Sequence, residues 1–405
     1  MEKTKNGFWG GLLCGLLLAV LLIGGVLLAR TLLGVHQATR VFVGKERQEL
    51  LSDYTTAKIE IIEDTIERYY LSGTDTDILE DGIYSGMVDA LGDPYSVYYS
   101  ADELKEIQEK SEGIYYGIGA YITKGVTDEF CTISGTIEGT PAEAAGLRAG
   151  DLIYEVDGVL AQGMETTEIV TLIKGEEGTT VTLTLVREGE DDYLYVPVER
   201  KKIESPTVDW EMKENGTAYI AITEFDDVTT DQFAEALAEC KGKGMESMVL
   251  DLRGNPGGNL DTVCEIARML VPEGLIVYTE DKNGERQEYT SEGERRVEVP
   301  MVVLVDGYSA SASEILAGAI QDYGVGTIMG TTTFGKGIVQ RIISLSDGSA
   351  VKLTVSKYYT PNGNDIHEKG IVPDVEVEFD ADAYYNEDVD NQLEAALKYL
   401  QENLQ

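Results

Sequence analysis

The spacing of apolar and polar positions changes several times along the chain, and each change marks an element. Residues 8–29 carry no charge over 22 positions. A helix of that length, at about 1.5 Å per residue, spans about 30 Å of hydrocarbon. Ile59, Ile62 and Ile66, then Ile83, Met87 and Leu91, recur at helical spacing. Asp93-Pro94-Tyr95-Ser96 breaks that pattern before a helix restarts near Asp102. Residues 115–187 alternate in short strands divided by glycine turns. There Pro141 suits a first helical position and Asp157-Gly158 a hairpin, while residues 166–174 read as a helix and 181–186 as a strand. Beyond Asp192, strands at 219–222, 247–252 and 275–278 alternate with helices, one capped by Thr229 or Thr230, the other facing inward with Val263, Ile266, Ala267 and Leu270. That alternation predicts an α/β layered domain. Residues 301–305 are wholly apolar, a buried strand, and Ile315, Leu316, Ala319 and Ile320 predict a helix soon after it. Residues 338–345 and 350–359 read as a long hairpin, and 391–404 as a terminal helix with Leu393, Ala396, Leu397 and Leu400 apolar.

The junction after residues 301–305 carries the candidate chemistry. Ser309, Ser311 and Ser313 stand at alternate positions between strand and helix. Helix N–H groups converge there, which suits a nucleophile beside a developing oxyanion. A serine hydroxyl is a weak nucleophile and needs a base. His367, in N-D-I-H-E-K-G, reads as a solvated loop histidine and supports a Ser-His-Asp triad only thinly. Lys336 lies between two glycines in a stretch otherwise uncharged from Gly324 to Gln340. A lysine serves as base if its pKa falls from about 10.4 towards neutrality; three units is about 4 kcal/mol, within what burial without an ion-pair partner supplies.

The run S-A-S-A-S-E-I-L-A-G-A-I-Q-D followed by T-F-G-K-G-I-V-Q resembles the carboxyl-terminal processing (tail-specific) serine proteases, of the bacterial membrane-anchored type. The resemblance extends from about Tyr54 to the end of the chain. It implies a Clp/crotonase-like α/β core with an inserted PDZ domain, a helical N-terminal arm and one N-terminal transmembrane helix. It makes Ser311 the nucleophile, Lys336 the general base 336 − 311 = 25 positions on, and Gln340 the group that orients the lysine. No cofactor is implied. Gly337–Gln340, if extended, leaves open whether Gln340 faces Lys336. Ala312 N–H is one oxyanion donor, and Gly257 in G-N-P-G-G, matched to the family's glycine after the D-L-R strand, is the other. Ser309 and Ser313 are rival nucleophiles whose plainer role is to cap the following helix. Asp306 stands where the family commonly has Asn, and near Lys336 it would raise the lysine pKa. Residues 115–187 resemble a PDZ domain, a fold that binds peptide C-termini by adding a strand to a sheet edge. The resemblance places the terminal carboxylate on Tyr116, Gly117, Ile118 and Gly119.

Charge and cysteines narrow the remaining choices. Lys plus Arg is 32 and Asp plus Glu is 73, a net −41 that argues against nucleic acid. Four cysteines, one of them in the 8–29 run, and two histidines supply neither a disulfide framework nor a zinc cluster. Residues 8–29 are too long for a signal-peptide core, and no good cleavage site follows, so an uncleaved anchor is expected with a cleaved signal as its rival. The Lys and Arg residues flanking the run do not decide its orientation; the short tail before it and the resemblance imply an extracytoplasmic catalytic part at the cell membrane. Residues 47–110 alone read as a spacer, and the resemblance adds a homodimerising role. Expected boundaries are 1–7 cytoplasmic tail, 8–29 anchor, 30–110 helical region, 111–190 PDZ domain, 191–380 core and 381–405 terminal helix. The partners expected are protein or peptide C-termini and, through the anchor, the membrane. The rival to an endopeptidase is a scaffold that tethers partners through the PDZ domain without cleaving them.

Overall fold

The computed structural model describes residues 50–403 apart from Thr127 and Glu294. The 8–29 run lies outside them; among the described residues no helix is long and apolar enough to cross a membrane. The chain falls into two units divided after Leu79. In the first, helix Asp53–Tyr69 starts at Ser52, whose hydroxyl accepts from Thr55 N–H at 3.2 Å. None of its residues is buried, and Ile61 and Ile62 face solvent.

The second unit is built on a six-stranded sheet in the order Val208–Met212, Thr217–Ile222, Ser247–Asp251, Met301–Val305, Thr327–Gly330, Val375–Glu376. The first pair is antiparallel and the rest are parallel. Helices cover both faces, so the central strands read as unbroken apolar runs. Met248, Leu250, Val303 and Val305 face helices Thr229–Gly242, Leu260–Leu270 and Ala312–Tyr323. Val249, Val302 and Leu304 face the opposite way, onto Ala396 and Leu400 of helix Asn391–Asn403. The terminal helix is therefore part of the core layer rather than an appendage after it.

A PDZ-type module interrupts this unit. Its sheet runs Ala120–Thr123, Thr132–Thr136, Leu152–Val156, Thr180–Val186, Leu194–Glu199, flanked by helices Pro141–Ala144 and Thr166–Ile173. One apolar cluster from Ile118 to Val198 fills it. The expected boundary at residue 190 is corrected by this: Leu194–Glu199 pairs with Thr180–Val186 and belongs to the module. The chain enters and leaves through a two-stranded ribbon, Ile114–Gly117 against Lys201–Glu204, closed by Ser205 N–H donating to Gly113 C=O at 2.8 Å.

A third sheet centres on Ala350–Tyr359. Ile338–Ser344 pairs with it as the expected hairpin, and so do Gly274–Asp281 and the short strand Val97–Tyr99. That last pairing carries the Asp93–Ser96 turn to the hairpin, a placement that spacing alone did not reveal.

Candidate active site

Three loops leave the carboxyl ends of adjacent parallel strands, where open α/β sheets gather their sites. Residues 252–258 follow Ser247–Asp251, residues 306–311 follow Met301–Val305, and residues 331–337 follow Thr327–Gly330. Ser311 sits at the start of helix Ala312–Tyr323 with φ 56° and ψ −110°, a strained backbone for a residue with a Cβ.

The surrounding hydrogen bonds hold that strain. Ser309 Oγ donates to Leu252 C=O at 2.8 Å and Ser313 Oγ to Asn255 C=O at 3.0 Å, and both serines are fully buried. These rivals of Ser311 are therefore ties to the neighbouring loop. Asp306 Oδ1 accepts from the N–H groups of Gly254, Tyr308 and Ser309, so its carboxylate is spent on the turn. Glu314, buried completely, joins the serine to the lysine loop. Its Oε2 accepts from Ser311 N–H at 2.8 Å and Lys336 N–H at 2.9 Å. Its Oε1 accepts from Gly335 N–H and Thr333 Oγ1, both at 2.7 Å. Beneath them the Tyr358 hydroxyl meets the carbonyls of Ser311, at 3.0 Å, and Lys336. Burial, reinforced by the Glu314 charge, pushes the Tyr358 phenol well above its ordinary pKa, so it stays a donor.

Lys336 is half-buried, and its amine forms no salt bridge among the described residues. Burial pushes its pKa below the ordinary 10.5, and the Lys352 cation pushes the same way, against a smaller opposing pull from Glu314. The amine rests over the Tyr95 ring, 4.9 Å from its centroid, and shares no hydrogen bond with the Ser311 hydroxyl in this conformation. Catalytic hydrogen bonds in unliganded sites are often long.

Three expected placements change. Gln340 makes no hydrogen bond to Lys336 among the described residues: its amide nitrogen lies 3.5 Å from Ile338 C=O and Thr354 Oγ1. Gln340 lies in strand Ile338–Ser344, just past a register shift between Val339 and Gln340, and its amide packs along the hairpin beside Thr354. His367 is packed rather than solvated. A Cβ on Gly337 would meet its backbone nitrogen at 2.5 Å, and its Nδ1 is buried without a partner. The Gly257 N–H is already engaged, donating to Asn255 Oδ1 at 2.8 Å. The Gly258 and Ala312 N–H groups have no acceptor among the described residues. Gly257 contributes absence of bulk: with φ 104°, its Cβ would lie 2.7 Å from Ala310 C=O and 2.8 Å from Ser311 Cβ.

Beside Ser311 a pocket of about 350 Å³ is walled by Leu260, Ile315, Ile338 and Ile342, with Gln340 and Lys352 on its lining. A larger cleft of about 1380 Å³ runs between the PDZ-type module and the core, from Ile122, Val170 and Lys174 to Gly254 and Pro256. Tyr116 and Gly117 lie in the connecting ribbon, paired with Lys202 and Lys201. Ile118 is buried and its carbonyl accepts from Ala142 N–H at 2.8 Å. Gly119, at φ 81°, gives its carbonyl to Ile137 N–H at 3.0 Å and Thr140 Oγ1 at 3.1 Å. The loop's carbonyls are thus turned inward and pinned. Among the described residues no cluster of His, Cys, Asp and Glu is arranged to hold a metal.

Glu314, Tyr358 and Tyr95 were not singled out from sequence. Only Glu314 had a readable signal, an acid three positions into a helix whose first serine precedes it, the S-x-x-E capping pattern.

Comparisons with known proteins bear on the fold and the family. The family model described as "Peptidase family S41" matches residues 216–377, that of the PDZ domain 132–187, and that of the "Activating protease CtpB N-terminal domain" 30–103. The "Carboxy-terminal processing protease CtpA" of Bacillus subtilis (strain 168) is 40% identical over 77% of this chain and 67% of its own. The protein named CtpB from the same organism is 36% identical over 80% and 68%. A solved structure of a putative S41 protease from Bacteroides fragilis covers 84% of this chain and 97% of its own, with TM-score 0.50 and 20% identity, a likeness of fold.

Proposed function

Because the chain belongs to peptidase family S41, the carboxy-terminal processing proteases, and is thus a serine-type peptidase with a PDZ domain, we propose that it is a membrane-anchored endopeptidase that cleaves with Ser311 as nucleophile and Lys336 as general base. The observation that carries this reading is the Lys336 amine, half-buried and unpaired, on a loop tied to the Ser311 backbone through one carboxylate. Ser311 Oγ attacks the scissile carbonyl while its proton passes to Lys336 Nζ. Ala312 N–H, with the Gly258 N–H, receives the oxyanion. The ammonium then returns the proton to the leaving amine, and water, losing a proton to the same lysine, hydrolyses the acyl-enzyme.

Substrate tails enter by adding a strand beside Ala120–Thr123, against helix Thr166–Ile173, with the terminal carboxylate at Tyr116–Gly119. The cleft from that helix to Pro256 supports a path to Ser311. Anchoring rests on the uncharged 8–29 run, and the short segment before it supports a catalytic part outside the cytoplasm. A homodimer contact is supported by the exposed Ile61 and Ile62 of helix Asp53–Tyr69.

The test uses full-length protein in detergent and a stable reporter with a disordered apolar tail. Cleavage is expected with the free tail, at least about tenfold slower when the tail ends in two aspartates, and absent for Ser311→Ala. Unchanged cleavage by Ser311→Ala would falsify the assignment. Gly257→Ala is expected to lower kcat/KM by about 100-fold, because a Cβ there displaces Ser311. A wild-type rate in that variant, with an unchanged circular-dichroism spectrum, would show that the elbow does not depend on this close approach.

A further inference from the structure

The Asp93-Pro94-Tyr95-Ser96 turn belongs to the segment that reads as a spacer, yet it is built into the site. Asp93 Oδ1 accepts from Tyr95 N–H at 3.1 Å and Oδ2 from Ser96 Oγ at 2.5 Å. Buried Ser96 in turn accepts from Thr354 N–H at 3.2 Å, on the strand that carries Tyr358 and Lys352. Immediately after, Val97 pairs with Lys352. The result is one aromatic face against each lysine of the site: Tyr95 at 4.9 Å from the Lys336 amine and Tyr99 at 5.3 Å from the Lys352 amine.

We propose that Tyr95 is a positioning residue for peptide hydrolysis, its ring forming the wall that holds the Lys336 side chain in place and keeps water and carboxylates from its amine. The proposal rests on the reading of Lys336 as general base. A base of this kind must be uncharged when serine is attacked. An aromatic face attracts the ammonium form and by itself raises the pKa, by less than about one unit at a partly exposed site. Removing water works the other way and moves a lysine by up to about 3–5 units when burial is complete. Desolvation is the stronger effect, so the ring favours the free amine on balance. The other groups around Lys336 leave this wall its role. Lys352, from strand Ala350–Tyr359, repels the ammonium. Glu314, from helix Ala312–Tyr323, is engaged by four donors. Tyr358 is a neutral donor. Asp93 is turned into its own turn, and His367 packs on Gly337 with its Nδ1 buried.

The experiment is the pH profile of kcat/KM on the tailed reporter for full-length Tyr95→Ala, Tyr95→Leu and Tyr95→Phe, with melting curves for each. Tyr95→Ala is expected to move the acid limb upward by about one pH unit and to lower the rate near pH 7 about tenfold, since each unit cuts the free-amine fraction tenfold. Tail-peptide affinity stays unchanged, and Tyr95→Phe, which restores the ring, restores the limb. Tyr95→Leu keeps an apolar wall without the cation-attracting face, so its limb is expected at or below the wild-type position, and it is read in place of Tyr95→Ala should that variant not fold. A Tyr95→Ala limb that stays put or moves down, a Tyr95→Leu limb that moves up, or a Tyr95→Phe as impaired as Tyr95→Ala, overturns the proposal. Lys336→Ala separates the two readings. If it keeps its activity, the base assignment itself fails; if it is inactive while Tyr95→Ala has the wild-type profile, only the role of Tyr95 fails.

Discussion

Lys336→Arg is expected to abolish cleavage, lowering kcat/KM by about 10⁴-fold or more, while tail peptides still bind with an affinity within about twofold of wild type. Arginine keeps the stem and the charge, and it keeps the backbone N–H that Glu314 accepts. What it cannot do is give up its proton, because guanidinium stays charged throughout the accessible range. The comparison therefore isolates the one property that the reading requires. Lys336→Ala should fall equally far, and the double variant with Ser311→Ala should fall no further, since a nucleophile and its base fail as a unit. In the wild type, kcat/KM should climb with pH through the lysine's pKa. Burial and Lys352 both favour the free amine, so that climb should lie below the ordinary 10.5. An arginine variant retaining a tenth of the activity, or a profile without an acid limb, would remove Lys336 from the chemistry.

Glu314→Ala is the second large effect expected, and it should strike stability and rate together. Four donors lose their acceptor at once: Ser311 N–H, Lys336 N–H, Gly335 N–H and Thr333 Oγ1. Each buried unsatisfied donor costs about 1–3 kcal/mol, partly relieved if water enters, so a loss of about 3–5 kcal/mol is expected. At about 2–4 °C per kcal/mol this lowers Tm by roughly 6–20 °C. Glu314→Gln is the sharper variant. Its amide has one oxygen to offer, so one pair of donors keeps its partner while the other pair faces an NH₂ group. That variant should fold yet cleave at least about 100-fold more slowly, because the lysine loop loses a partner in either orientation of the amide, and Ser311 as well when the NH₂ takes the Oε2 place. Full activity in Glu314→Gln would show that the serine's strained backbone is held by the surrounding loops alone.

Much of this was legible in the sequence because periodicity reports local surroundings. Met301–Val305 reads as a buried strand and proves buried on both faces. The Asp157-Gly158 hairpin turns with φ values of 51° and 79°, as tight hairpin chemistry demands. The Ser311 and Lys336 loops were placed by their spacing and by the resemblance. What escaped was non-local. Tyr95 meets Lys336 across 336 − 95 = 241 positions of chain, a contact that neither periodicity nor a short motif encodes. The Gln340 role came with the resemblance, and which way its side chain faces depends on a strand pairing that the motif does not carry. Leu194–Glu199 was given to the wrong module because a strand's pattern does not name the sheet it joins.

The ribbon of Ile114–Gly117 and Lys201–Glu204 gives the reading module a single doorway. Its entrance and exit stand side by side, joined by the bond from Ser205 to Gly113. A cassette held that way can be lifted out between residues 114 and 204 and replaced by another whose ends lie equally close. The cutting half then keeps its own sheet and core, so new tail preferences are open to it by exchange of parts, without redesign of the blade.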